Sequence, residues 1–229
     1  MSGAGTGAEL RLVTPGEAIE TSSGVRAGTG TISYGDAIIA TKVGWVNNNN
    51  GVISVDPINS AYMPRSGDLV IGVIESVRNN LWFADVNGPF NGLLPMSLAP
   101  WKVEFGAARE QMDIGDVMLA RVQEVDEAHN IVLTMKGVGL RRLKEGFMLE
   151  VSMTHISRIR GDNDSTLNML KDATDCRIIV GDNGRLWIDG DSEGLSVMKK
   201  IIDFVRNEGH KENFKATLVE FIEDARRNL

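Results

Sequence analysis

The chain has 229 residues, 42% hydrophobic and 24% charged, enough for two or three small domains with modest cores. Its formal net charge of −7 excludes a protein that coats nucleic acid unaided, because phosphate binding draws on clustered Lys and Arg; contact with RNA would need basic side chains gathered locally or supplied by a partner. No apolar run approaches the roughly 18 to 20 residues that span a bilayer and no signal-peptide pattern precedes the first strand-like segment, so a cytoplasmic protein is expected.

Residues 1–11 are expected to form a disordered leader, since Met1 to Ala8 is Gly, Ser, Ala and Thr without periodicity. Residues 12–62 read as a β-rich domain of short strands: Leu12-Val13, Gly28 to Ile32, Ala37 to Val43, Trp45-Val46 and Val52 to Val55. Asn47 to Asn50 before Gly51 predict a hairpin tip, because Asn and Gly tolerate positive φ. The glycines of Gly28 to Gly35 have neither a Gly-Lys-Ser/Thr ending nor a strand-to-helix context, so they are not a phosphate loop. Residues 63–140 hold five apolar runs of strand length, Leu69 to Val77, Leu81 to Val86, Phe90 to Pro95, Val117 to Val125 and Ile131 to Met135, parted by turns such as Arg78-Asn79-Asn80 and Asn87-Gly88-Pro89. A small closed barrel follows from that pattern. A short, partly apolar linker leads on to residues 141–229 and should fix the two domains relative to one another. The order there is strand Met148 to Met153, helix His155 to Ile159, loop Gly161 to Asp164, helix Ser165 to Ala173, hairpin Arg177 to Val180 and Arg185 to Ile188, helix Ser192 to Asn207, and an amphipathic segment Asn213 to Arg227 with Phe214, Leu218, Phe221 and Ile222 on one stripe.

Strand parity sets Trp82, Ala84 and Val86 against Leu81, Phe83 and Asp85, which leaves Phe83, Arg121 and Lys136 as candidates for one outer face of the barrel. An aromatic ring beside cations suits single-stranded nucleic acid, since the ring stacks on any base and the cations track phosphates; the other reading of Phe83 is a barrel side chain packed under a loop. Lys136, Arg141, Arg142 and Lys144 are the nearest thing to a basic cluster, either a phosphate contact or a solvated connector. Cys176 sits in an apolar run without a disulfide partner, and His129, His155 and His210 show no metal-ligand spacing. No nucleophile-base set or paired carboxylate stands out, so neither an enzyme nor a cofactor or metal is expected.

The segments Gly67-Asp68-Leu69-Val70-Ile71-Gly72-Val73-Ile74, Leu81-Trp82-Phe83-Ala84-Asp85-Val86, Gly92-Leu93-Leu94-Pro95-Met96-Ser97, Gly115-Asp116-Val117, and Ala120-Arg121-Val122 through Val125-Asp126 together resemble an S1 domain of the OB-fold class. Asn80 stands where many S1 domains carry a second aromatic, and Pro95 where many carry a histidine, so the resemblance implies weaker or rearranged binding. The βααββα order of the last domain resembles a KH domain, whose Gly-x-x-Gly loop clamps nucleotide backbone. Here the loop is Gly161-Asp162-Asn163-Asp164. A carboxylate at contact distance from a phosphate costs roughly 1 kcal/mol even in a water-like dielectric, so this loop is expected to be a poor clamp and the domain a packing unit.

Taken whole, with Val13-Thr14-Pro15-Gly16-Glu17, Pro57 to Gly72 and Cys176 to Ile188 as further matching stretches, the chain resembles the RNA-binding cap subunits of the archaeal exosome, S1/KH type. The resemblance implies a multidomain, mainly β fold with an α+β C-terminal domain. It also implies a non-catalytic role in a trimeric cap, formed with itself or a related subunit lacking KH, on a hexameric ring of RNase-PH-like subunits. The N-terminal domain would anchor to the ring, and the S1 domains would surround a pore that admits single-stranded RNA, with a leaning toward A-rich tails. Arg78, Lys102, Arg109, Arg121 and Lys136 with Phe83 would then supply the RNA contact. The alternative is a free-standing S1/KH RNA-binding protein acting in translation or transcription.

Overall fold

The computed structural model describes residues 11–20, 24–49, 51–58, 61–102, 104–208 and 214–227, and the chain divides into two compact units, 1–60 and 61–229. The expected leader lies outside the described residues apart from Arg11, whose Nη2 donates to Glu17 Oε1 at 2.7 Å. In the first unit the strands are β1 (Leu12–Val13), β2 (Ala18–Glu20), β3 (Arg26–Ala27), β4 (Thr31–Tyr34), β5 (Ala37–Ala40), β6 (Gly44–Asn49) and β7 (Val52–Pro57). They form one sheet in the order β1-β6-β7-β3 and another in the order β2-β5-β4, with Val13, Ala40 and Val55 buried at the centre. β2 and β3 are too short to leave a periodic signal, and sequence reading misses both. The asparagines correct the hairpin expectation: Asn47 and Asn48 pair with Ser54 and Ile53 inside β6, and the chain reverses only between Asn49 and Val52. The glycines before β4 serve close packing. A Cβ on Gly30, whose φ is 76°, would lie 2.6 Å from the Val55 carbonyl oxygen.

The second unit opens with the barrel, β8 (Leu69–Val77), β9 (Leu81–Asp85), β10 (Gly92–Pro95), helix α1 (Ala108–Gln111), β11 (Val117–Val125) and β12 (Ile131–Thr134). Its sheet runs β12-β10-β9-β8-β11 and closes through β11–β12, with β10 and β12 parallel and the other pairs antiparallel. Closure gives the OB-type barrel and leaves none of these five strands with an open edge inside the ring. Val70, Ile74, Trp82, Ala84, Leu94, Met118, Ala120, Val122, Ile131 and Leu133 fill the interior, in the parity that the alternating pattern requires. Trp82 Nε1 donates to the Met112 carbonyl at 2.9 Å, which satisfies the one polar atom of the largest interior side chain.

A sixth strand, β13 (Arg141–Leu143), pairs with β11 where a solvated connector or a phosphate-binding basic cluster was expected. Arg142 is committed there: Nη2 donates to Asp116 Oδ1 at 2.6 Å and Nη1 to the Gln111 carbonyl at 3.0 Å. The last domain is β14 (Phe147–Glu150), α2 (Met153–Arg160), a 3-10 turn at Asp162–Asp164, α3 (Ser165–Thr174), β15 (Arg177–Val180), β16 (Arg185–Asp189), α4 (Ser192–Glu208) and α5 (Phe214–Arg227). Its antiparallel sheet runs β14-β16-β15, and Ile159, Leu170, Leu186, Ile188, Met198 and Ile201 are among its fully buried core. The stripe on α5 packs inward as its spacing predicts, with Phe214, Leu218 and Ile222 buried and Phe221 stacked on Phe204 at 4.5 Å between ring centroids. Among the described residues no helix is long and apolar enough to cross a membrane.

Barrel and C-terminal domain are joined by more than the linker. The outward side chains Ile71 of β8 and Leu119 of β11 are buried with Leu143 and Trp187 in one apolar cluster. Beside it the hairpin loop 181–184 grips β8 through its backbone. Leu69 N–H donates to Asp182 Oδ2 at 2.7 Å and Asp182 N–H to the Leu69 carbonyl at 2.6 Å. Asn183, fully buried, accepts from Ile71 N–H at 3.2 Å and donates to the carbonyls of Ile71 and Val86, each at 2.9 Å. Arg185, 3% exposed, reaches the Asp85 carboxylate, the Asp85 carbonyl at 2.7 Å and Glu150 Oε1. With the Ile71 carbonyl also accepting from its Nη1 at 3.3 Å, this buried guanidinium is surrounded by two carboxylates and two carbonyls and is satisfied, and the two domains are held in one arrangement.

Candidate nucleic-acid interface

The parity of β9 buries Trp82 and Ala84 in the barrel and turns Phe83 outward, half-buried, opposite Leu93 of β10 and Ser76 of β8. Register then separates what the sequence placed on one face. Phe83 pairs near the turn end of β8, at Ser76, while Arg121 of β11 pairs at its far end, with Leu69, and on its other side with Thr134. Seven residues of strand, about 23 Å, lie between those two levels of β8. Lys136, exposed, follows Thr134 and belongs with Arg121, whose Nη1 donates to the Gly67 carbonyl. Parity was legible in sequence, but the offset between non-adjacent strands depends on barrel shear, which no single strand encodes.

The cations that accompany Phe83 come from loops. Arg78 directly follows β8 and its N–H donates to the Leu81 carbonyl at 2.9 Å, so it sits at the turn that leads to Phe83. Lys102 and Arg109 lie on the long connection from β10 to β11, which folds back on that turn: Met96 N–H donates to the Asn80 carbonyl at 3.1 Å and Gly106 N–H to the Asn79 carbonyl at 3.2 Å. Arg109 is held by Asp113, 3.1 Å away, while Arg78 and Lys102 are exposed. Two further exposed rings lie on loops: Phe105, which no strand run includes, and Phe90, which the sequence pattern sets at the start of a strand but which precedes β10. Phe105 is 78% exposed, and Phe90, 52% exposed, stacks on His129 at the opposite end of the barrel, 5.8 Å between centroids and 6° from parallel.

In the other domain the loop 161–164 joins α2 to α3 with left-handed backbone at Gly161, Asn163 and Asp164, φ 66°, 51° and 59°. A Cβ on Gly161 would stand 2.2 Å from Thr166 Oγ1, so this glycine is required by the close approach of α3. Asp164 occupies the N-cap of α3 without a side-chain capping bond. Arg160, the cation nearest the loop in sequence, pairs with Asp182 at 2.8 Å and donates to the Val180 carbonyl at 2.9 Å, which turns it toward the interdomain clamp. Among the described residues there is no group of three or more His, Cys, Asp or Glu placed to hold a metal ion.

The model of the KH domain matches residues 146–194. The crystal structure of a protein assigned as an exosome complex RNA-binding protein superposes with a TM-score of 0.66 at 29% identity, covering 73% of this chain and 98% of its own. The exosome complex component Rrp4 of Thermoplasma acidophilum is 31% identical over 93% of this chain and 90% of its own length. The chain belongs to the Rrp4 family. The Rrp4 proteins of Methanobrevibacter smithii and Methanothermobacter thermautotrophicus are 36% and 34% identical over 87% and 94% of this chain, which spans about two thirds of their length, 66% and 68%. Membership of the Rrp4 family agrees with the resemblance drawn from the S1 and KH segments. What those segments did not disclose is the clamp of Asp182, Asn183 and Arg185, which in sequence is indistinguishable from an ordinary Gly-Asp-Asn-Gly turn and a strand arginine.

Proposed function

We propose that the chain is a non-catalytic, cytoplasmic RNA-binding component of an exosome, which caps a hexameric ring of RNase-PH-like subunits in three copies and passes RNA 3′ ends to phosphorolytic sites within it. The observation that carries the reading is the match to an exosome complex component along about nine tenths of both chains. The barrel supports it with Phe83 turned outward and exposed cations on the loops beside it. Each stacked base contributes roughly 1 to 3 kcal/mol, so one copy binds weakly; three copies around a shared strand tighten binding about a hundredfold or more through effective concentration alone. The loop 161–164 contributes little, because its residues add negative charge and Arg160 is engaged elsewhere.

The test is fluorescence anisotropy with labelled oligoadenylate, on the isolated chain and on the chain assembled with its ring. The isolated chain should bind poorly at physiological salt and the assembly much more tightly, with affinity falling steeply as salt rises. Phe83→Ala with Arg121→Ala should weaken RNA binding by the assembly and leave its mass unchanged, while Asp164→Ala should alter affinity little. Equal affinity of monomer and assembly, or an unaffected double variant, would refute the assignment. Failure to associate with any such ring would favour a free-standing RNA-binding protein.

A further inference from the structure

We propose that Phe105 is a second base-stacking ring, seated beside the β8–β9 turn where this chain carries Asn80, and that it takes a nucleobase of single-stranded RNA next to the one at Phe83. The inference rests on the RNA-binding reading above and adds a subsite to it. Its geometry begins with a turn. Ala107 N–H donates to the Glu104 carbonyl at 3.0 Å, which makes Phe105 and Gly106 the two central residues, and Gly106 has φ 91°. Positive φ at the third turn position is the type II arrangement, which Gly accommodates without strain. Phe105 therefore occupies the corner, and it stands 78% exposed.

The turn is anchored: Gly106 N–H donates to the Asn79 carbonyl at 3.2 Å, one residue from Asn80 and four from Phe83. Four residues of chain span at most about 14 Å, so Phe83 and the anchor of Phe105 lie within reach of one short stretch of single strand. A lone exposed apolar side chain is ordinary. This ring is distinguished by its company. Arg78 borders Asn79 and Lys102 precedes Phe105 by three residues; both are exposed, and neither forms an ion pair with a described residue. Glu104 begins the same turn and is the carboxylate that this subsite must tolerate. Rings that accept any base, with free cations for the phosphates, match single-stranded nucleic acid in both parts.

The test uses the full chain assembled with its ring and an oligonucleotide carrying 5-iodouridine, irradiated, digested with trypsin and mapped by mass spectrometry. Adducts should appear on fragment 103–109, which trypsin releases after Lys102 and Arg109, and Phe105→Ala should abolish them. The same variant should weaken oligonucleotide binding about five- to hundredfold, the range for one stacked base, and Phe105→Trp should retain it. Phe90→Ala, which removes an exposed ring at the other end of the barrel, should leave affinity unchanged. If Phe105→Ala binds as the parent does while Phe83→Ala is weakened, the subsite is wrong and the RNA reading stands. If the parent assembly binds no RNA, that reading fails and the subsite with it. If Phe105→Ala loses ring association at unchanged RNA affinity, the ring is a protein contact and the proposal is overturned.

Discussion

Asn183 offers the sharpest test of how barrel and C-terminal domain are held. Replacing it with Ala removes an acceptor from Ile71 N–H and a donor from the carbonyls of Ile71 and Val86, at a position with no solvent access. The Ile71 carbonyl keeps Arg185 Nη1 at 3.3 Å, so two buried backbone groups are left orphaned. Each costs about 1 to 3 kcal/mol, and water entering the space left by the amide recovers part of it, for an expected loss of about 3 kcal/mol. For a chain of this size that is a fall in melting temperature of roughly 6 to 12 °C. Urea denaturation followed by tryptophan fluorescence and by circular dichroism should show the two signals coinciding in the parent and separating in Asn183→Ala, as the domains lose their coupling. Asn183→Asp keeps the size but turns a carboxylate toward two carbonyl oxygens, and should be at least as damaging. A loss under about 1 kcal/mol in Asn183→Ala, with coincident transitions, would show that the apolar cluster around Trp187 alone holds the interface.

Two titratable groups give further tests. Burial, then the hydrogen bond to Asp68 Oδ2 at 2.8 Å, push the Tyr62 phenol well above its ordinary range. The fold thus favours the neutral phenol, so its contribution is present below the unfolded value near 10 and stability falls as pH rises above it. In Tyr34→Phe, which leaves Tyr62 as the sole tyrosine, tyrosinate absorbance near 295 nm should appear only together with loss of the circular dichroism signal; a reversible rise in the folded protein would contradict this. Burial likewise raises the Cys176 thiol, 4% exposed, and keeps thiolate scarce. At pH 8 it should react with a thiol reagent only on unfolding, and stoichiometric reaction of the native protein within minutes would show that the site is open.

Sequence alone determined the elements whose physics is local. The parity of Trp82 and Ala84 against Phe83, and the helical stripe of Phe214, Leu218 and Ile222, follow from periods of two and 3.6, and the strand ranges read for Leu69–Val77 and Val117–Val125 agree with the structure. The order of those elements, with the matching S1 and KH segments, was enough to point to the family. Tertiary structure decided whatever depends on how separate segments meet. It recruited Arg141–Leu143 into the barrel sheet, because the start of β11, Val117 to Leu119, extends past β12 and offers backbone groups on that edge that need partners. It set Phe83 and Arg121 far apart through the stagger of the closed sheet, and brought the β10–β11 connection against the β8–β9 turn through two backbone hydrogen bonds, from Met96 and Gly106. It also made Asp182, Asn183 and Arg185 into an interdomain clamp, since their partners lie about a hundred residues away and no window of sequence contains both sides of a contact.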